Sequence, residues 1–157
     1  MTEVQYPWQQ EVIIRHTQHL LHSYQHWTGE SLFDLSMAPL DLSQVLFHAP
    51  FIVVSHGMET NPIFNYANQK ALELWELEWN QFIQMPSCQT VEQTEREDRQ
   101  KLLEETEKKG FTDKCSGVRV SSTGKKFYIE NIKLWNVLDE NQQRCGQAAM
   151  FYQWQYI

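Results

Sequence analysis

The sequence has 157 residues, enough for one domain with a sizeable core, and a net charge of −7. Its 13 Lys and Arg stand against 20 Asp and Glu with no basic stripe, so no nucleic-acid surface is expected. No basic and apolar leader opens the chain and no apolar run is long enough to span a bilayer, so a cytoplasmic protein with no membrane contact is expected.

Over residues 8–27 the spacing predicts a helix, since Ile13, Leu20, Tyr24 and Trp27 share one face and Gly29 can end it. Residues 30–39 read as a loop. A short helix follows, capped by Asp41 or Ser43 and closed by Pro50. Residues 51–55 form a strand apolar on both faces, which predicts cover on both sides of a sheet. After the turn at His56 and Gly57, Phe64 and Tyr66 alternate about Asn65 as a half-buried strand. Asn68 then caps a helix in which Ala71, Leu72 and Trp75 share a face. Residues 78–83 make another short helix.

The next helix is long and polar. Thr94 and Glu97 read as its capping box and Gly110 as its stop. Glu-first pairs at i,i+4, among them Glu92 with Arg96, Glu95 with Arg99, Glu97 with Lys101, Glu104 with Lys108 and Glu105 with Lys109, give it a solvated surface. Its apolar anchor is Leu102 and Leu103. Three strands finish the chain, at 117–121, 126–138 and 146–156, joined by turns at 122–124 and 139–142. In the middle strand Phe127 and Ile129 fall on one face, then Ile132 and Leu134 on the other. This change of phase at Glu130 and Asn131 predicts a bulge. Ala148 and Ala149 are small and leave room beside the sheet. The order gives an α+β fold: a five-stranded antiparallel sheet with helices on one face at 46–157, and an N-terminal helical extension at 1–45.

Several segments carry a family resemblance. They are APFIVVSHG at 49–57, PIFNYANQKALELWEL at 62–77, PS at 86–87, EREDRQKLL at 95–103, SGVRVSSTGKKF at 116–127, LWNVLDE at 134–140 and GQAAMF at 146–151. In this order and spacing the chain resembles the MEKHLA domain, a PAS-like family, and SYQHWTG at 23–29 is similar to the leader of its bacterial single-domain members. The six letters that name the family, and the homeodomain and zipper of its plant members, do not occur in the sequence, so DNA binding does not carry over. The resemblance implies a non-enzymatic sensory or interaction module. Such a module holds a small molecule between sheet and connecting helices, or acts as a dimerisation surface. No catalytic set carries over, and the cofactor is left unknown.

The implied pocket lies between the inner sheet face and the helices of 69–110. Its apolar candidates are Val53, Phe64, Tyr66, Trp75, Phe82, Ile129 and Phe151, and its polar ones Asn65, Asn68, Arg119, Asn136 and Gln147. The same aromatics would equally fill a solid core. Asn65 and Asn68 can serve purely local backbone needs. Arg119, if buried, needs a carboxylate, for which Glu130 or Asp113 would serve.

Cys88, Cys115 and Cys145 form no zinc or dithiol motif and read as reduced thiols. Cys88 falls near the adduct-forming cysteine of flavin-binding PAS photosensors. Its setting, Pro86-Ser87-Cys88-Gln89-Thr90, lacks their pattern and their phosphate-binding arginine, so a thiol without flavin chemistry is expected. His16, His19, His22 and His26 could bring two imidazoles to one metal, but Glu11 and Glu30 are a turn or more away. A solvated face, with no metal, is expected. A small α+β enzyme would draw on His48, His56, Asp113 or Glu130, which show no catalytic spacing. The stripe Ile13, Leu20, Tyr24 and Trp27 must be buried on the outer sheet face or against a second copy, so a homodimer or protein partner is expected.

Overall fold

The computed structural model of the chain describes residues 5–157. Helix α1, Glu11–Thr28, ends where Gly29 adopts φ 75° and donates its N–H to Gln25 O. Helix α2 spans Pro39–Phe47. It begins ahead of the expected caps, because proline at the first helical position is already set for the turn. Ser43 is instead buried and donates its hydroxyl to Trp8 O at 2.8 Å. Strands β1 (Ile52–His56) and β2 (Phe64–Ala67) follow, then helices α3 (Gln69–Trp75), α4 (Trp79–Phe82) and α5 (Arg96–Lys109). Strands β3 (Phe111–Val120), β4 (Lys126–Leu138), β5 (Arg144–Phe151) and β6 (Gln153–Tyr156) close the chain.

All pairings are antiparallel, in the order β2-β1-β5-β4-β3. Strand β6 continues β5 along β4 in unchanged register, from Lys133 opposite Met150 to Glu130 opposite Gln153. The five expected strands are therefore present, the last one interrupted at Tyr152. Across from that break Asn131 takes φ 55°, the expected bulge. The bulge restores the phase rather than reversing it: Phe127, Ile129, Ile132 and Leu134 all join one core, not two faces.

A second irregularity sits in β2. Pairing with β1 shifts between Ser55 opposite Tyr66 and His56 opposite Phe64, which leaves Asn65 as the extra residue. Phe64 consequently turns to one face and Tyr66 to the other, against the simple alternation expected from sequence.

The sheet is covered on both sides, as the doubly apolar β1 predicts. Helices α3, α4 and α5 cover the inner face, over Val54, Phe64, Phe127, Ile129 and Phe151. The extension, α1 and α2, covers the outer face, over Val53, Tyr66, Trp135, Val137 and Met150. The α1 stripe is buried there: Ile13, Leu20 and Tyr24 are each at most 6% exposed. Trp27 Nε1 donates to Asn136 O at 2.8 Å, Trp135 Nε1 donates to Leu20 O at 3.2 Å, and Ser23 Oγ accepts from Leu138 N at 2.7 Å. The Trp27 ring also lies over Gly110 (φ 89°), where a Cβ would come within 2.3 Å of it. Of the two expected places for the stripe, the outer sheet face and a second copy, it takes the first.

Helix α5 departs from its expected cap. A 3₁₀ turn over Gln93–Glu95 leads into it, and Glu95 is the N-cap without a side-chain bond. Of the expected ion pairs, Glu97 with Lys101 (3.8 Å) and Glu105 with Lys109 (2.7 Å) form. Glu92 instead reaches Lys126 at 2.9 Å, and Arg96 Nε donates to Val91 O at 3.0 Å.

Candidate functional site

A cavity of about 60 Å³ lies between the inner sheet face and the connecting helices. Val54, Phe64, Trp75, Leu102, Ile129, Ile132, Leu134, Ala149 and Phe151 make its apolar wall, and Thr90, Arg99, His56, Arg119 and Gln147 its polar one. A water needs at least ~10–15 Å³ of such space and takes ~30 Å³ in the liquid, so two to about five water-sized groups fit. Drug-sized ligands occupy ~300–1,000 Å³.

Two guanidiniums reach this wall from different elements. Arg99 comes from α5 and donates from Nη2 to Ser87 Oγ at 2.8 Å; Ser87 is fully buried in the turn after α4. Burial, and then the charge of Arg96, push Arg99 down to about 10, with Cys88 opposing. Arg119 comes from β3 and donates from Nη1 to Val118 O at 2.8 Å. Burial, and then the charge of Arg99, push it down to about 10, with Glu95 opposing. Both remain cations at neutral pH. Among the described residues neither makes an ion pair within 4.0 Å. Asp113 and Glu130, the expected partners of Arg119, are exposed.

His56 is 7% exposed, and burial pushes it down to about 4, so it is neutral at pH 7. Its Nδ1 lies 3.0 Å from Gly57 O, which assigns the proton to Nδ1 and leaves Nε2 an acceptor. Among the described residues His56 Nε2 and Trp75 Nε1 are buried without a hydrogen-bond partner. Gln147 is held in place: its Nε2 donates to Leu103 O at 2.9 Å and to Asn136 Oδ1 at 3.1 Å, while Asn136 Nδ2 donates to Glu107 O at 3.2 Å.

Six of the twelve expected pocket residues line this cavity: Phe64, Trp75, Arg119, Ile129, Gln147 and Phe151. Phe82 stacks behind Phe64 at 4.2 Å, and Asn136 stands one bond back through Gln147. Val53 and Tyr66 belong to the outer core. Val53 lies there because a strand apolar on both faces does not say which face is which, and Tyr66 because of the bulge at Asn65. Asn65 accepts the Ser55 hydroxyl, and Asn68 joins backbone segments; neither lines the cavity. Of the two charged wall residues, Arg99 is the one that sequence reasoning missed, having been placed in a solvated pair with Glu95. Its signal was present. Arg99, Leu102, Leu103 and Thr106 recur at i, i+3, i+4 and i+7, the spacing of one helix face.

The remaining candidates do not converge. His48, Asp113 and Glu130 are exposed and away from the cavity. His16 is not on a solvated face: its Nε2 lies 2.8 Å from Ser55 Oγ, and burial, then His19, push it down to about 4. His19 meets the Glu140 carboxylate, His22 meets Gln18, and His26 lies edge-on to Trp27. Among the described residues no helix is long and apolar enough to cross a membrane.

The MEKHLA domain family matches residues 14–156. Two curated relatives are the homeobox-leucine zipper proteins ATHB-14 and ATHB-9 of Arabidopsis thaliana, each 24% identical, over 139 and 141 residues. Each match covers 86% of this chain, which spans only 16% and 17% of theirs. Among solved structures, the PAS domain of a protein from Colwellia psychrerythraea superposes with a TM-score of 0.63 at 14% identity, over 74% of this chain and 94% of that one. An RNA-binding light-oxygen-voltage receptor gives 0.63 at 11% identity, over 76% and 33%. A light-oxygen-voltage domain studied with a flavin analogue gives 0.56 at 15%, over 74% and 84%. These likenesses show a PAS-like fold. The cavity does not fit a flavin: about 60 Å³ is far too small, and Cys88 lies outside the wall, with its Sγ 3.5 Å from Asn61 Oδ1.

Proposed function

The chain belongs to the MEKHLA domain family, and on that ground we propose a non-enzymatic sensory module that holds a small ligand in the inner cavity and signals through a protein partner. One observation carries this reading: two guanidiniums without ion partners among the described residues meet at a cavity whose wall is otherwise largely apolar. Partly buried charge without a counter-ion is unfavourable, and a ligand would relieve it. A catalytic reading would need a second proton carrier beside His56, and the other acid–base candidates lie elsewhere.

The cavity touches β1 to β5 as well as α3 and α5, so occupancy would bias the packing of α5 on the sheet. Because the α1 stripe is buried on the sheet, a second copy or another protein would meet a different face. The three free cysteines suit a reducing, cytoplasmic setting.

Natively purified protein, compared by native and denaturing mass spectrometry, tests the reading. A small adduct released on unfolding, from a sample without visible absorbance, is the expected result. Protein that carries no adduct and gains no thermal stability from any member of a small-metabolite library would overturn it.

A further inference from the structure

The geometry points to the class of ligand: a monocarboxylate of about two or three carbons, its oxygens between Arg99 and Arg119 and its hydrocarbon end on the inner sheet face. This deepens the sensory reading and rests on it. Each guanidinium has five N–H donors. Arg99 is seen to use one on Ser87 and Arg119 one on Val118 O. The two cations are close enough for Arg99 to oppose the charge on Arg119. An anion between them converts that repulsion into two charge-assisted contacts. Glu95 also faces Arg119 but makes no ion pair with it.

The fold holds Arg119 in this place. A Cβ on Gly117 would come within 2.7 Å of Arg119 Nη1, so the bare backbone there lets the guanidinium lie back over its own strand. The indole N–H of Trp75, 3% exposed and without a partner among the described residues, is a further buried donor in the same wall. The rest of the wall argues for an organic acid rather than a phosphate. Val54, Ile129, Leu134 and Phe151 offer hydrocarbon contact, which suits an alkyl end and would strip water from phosphate oxygens on that side without replacing it. A space of about 60 Å³ takes at most about five heavy atoms, which sets acetate and propionate as its upper size.

The test uses the full chain and calorimetric titration with sodium propionate, its neutral isostere propionamide, and inorganic phosphate, all at one ionic strength. Saturable binding of propionate, with propionamide and phosphate at least tenfold weaker, is the expected result. Arg119→Gln should weaken propionate about 10–100-fold, the usual range for a lost hydrogen bond to a charged group. Gly117→Ala, which keeps every charge, should weaken it in the same direction by crowding Arg119. The Trp75 indole N–H resonance should shift on propionate addition in wild type, a readout that does not depend on any variant folding. Equal binding of propionate and propionamide, or tighter binding of phosphate, would overturn the carboxylate assignment and leave the ligand-holding reading standing. If none of the three solutes binds or moves the Trp75 resonance, the assignment falls; the sensory reading falls with it only if the mass spectrometric and library tests also find nothing.

Discussion

Asn68 is fully buried, and its amide faces backbone in two directions. Its Oδ1 accepts from Ala71 N at 3.3 Å, as an N-cap does, and from Val53 N at 3.2 Å. Its Nδ2 donates to Phe51 O at 2.7 Å and Leu46 O at 3.3 Å. One side chain thus joins the end of α2, strand β1 and the start of α3. Truncation would strand Val53 N, Phe51 O and Ala71 N, while Leu46 O keeps its bond from Ala49 N, and each stranded group costs about 1–3 kcal/mol. Asn68→Ala should therefore lower unfolding free energy by about 3 kcal/mol, more than the ~1 kcal/mol of an ordinary cap. Asn68→Asp should cost at least as much at pH 7, since a carboxylate would face the Leu46 and Phe51 carbonyls. Urea denaturation of both variants checks this. A loss of under 1 kcal/mol would show that solvent replaces the missing bonds.

At the scale of elements, a loop far off in sequence closes one end of the inner core. The β3–β4 turn docks on the C-terminal end of α3 through Glu76, which is left-handed at φ 56°. The Glu76 carboxylate accepts from the hydroxyls of Thr123 and Ser121, and Lys125 Nζ lies 3.4 Å away. Ser122 N donates to Trp75 O at 3.1 Å. The hydroxyl bonds of Thr123 and then Ser121 hold the Glu76 carboxyl below its ordinary range. Glu76→Ala should speed amide hydrogen exchange at 121–125 while α1, docked on the other face, keeps its protection. Unchanged exchange at 121–125 would show that the backbone contact suffices.

The elements themselves were legible, because period-2 and helical spacings, Asn68 and Gly110 state them directly. Three features were not. The bulge at Asn65, and the phase that the expected bulge at Asn131 restores, decide which face Tyr66, Ile132 and Leu134 join, and both follow from pairing with another strand. The inward turn of Arg99 was masked by Glu95 four residues earlier, although its i+3 and i+4 neighbours are the two leucines of the apolar face. The 3₁₀ entry at Gln93–Glu95 displaced the capping box expected at Thr94.

On the scale of the whole molecule, the sheet holds a neutral imidazole against each face. His16 lies on the outer side, pushed down to about 4 by burial and then by His19. His56 lies on the inner side, pushed down to about 4 by burial, with its Gly57 hydrogen bond opposing. The unfolded chain takes up these two protons near pH 6.5, the folded chain only near 4. Between those values the unfolded state binds more protons, so stability falls as pH falls. The loss begins below about 6.5, is complete near 4, and reaches roughly 3 kcal/mol for each histidine. Against a total stability of about 5–15 kcal/mol this is a large share. Carboxylates held low by hydrogen bonds, such as Glu76 and Glu59, act with the same sign but only below their ordinary range near 4.5. The window from pH 6.5 to 5 therefore isolates the histidines. Urea midpoints measured across it should drop in wild type, and His16→Gln and His56→Gln should each remove a similar part of the slope. His19, itself pushed down by burial, stays in every variant, and the part of the slope lost in His16→Gln includes its coupling to His19. The two substitutions should be additive, because the sheet separates their sites. A double variant whose midpoint falls as steeply as that of wild type between pH 6.5 and 5 would show that the two rings reach solvent readily enough to protonate without unfolding the chain.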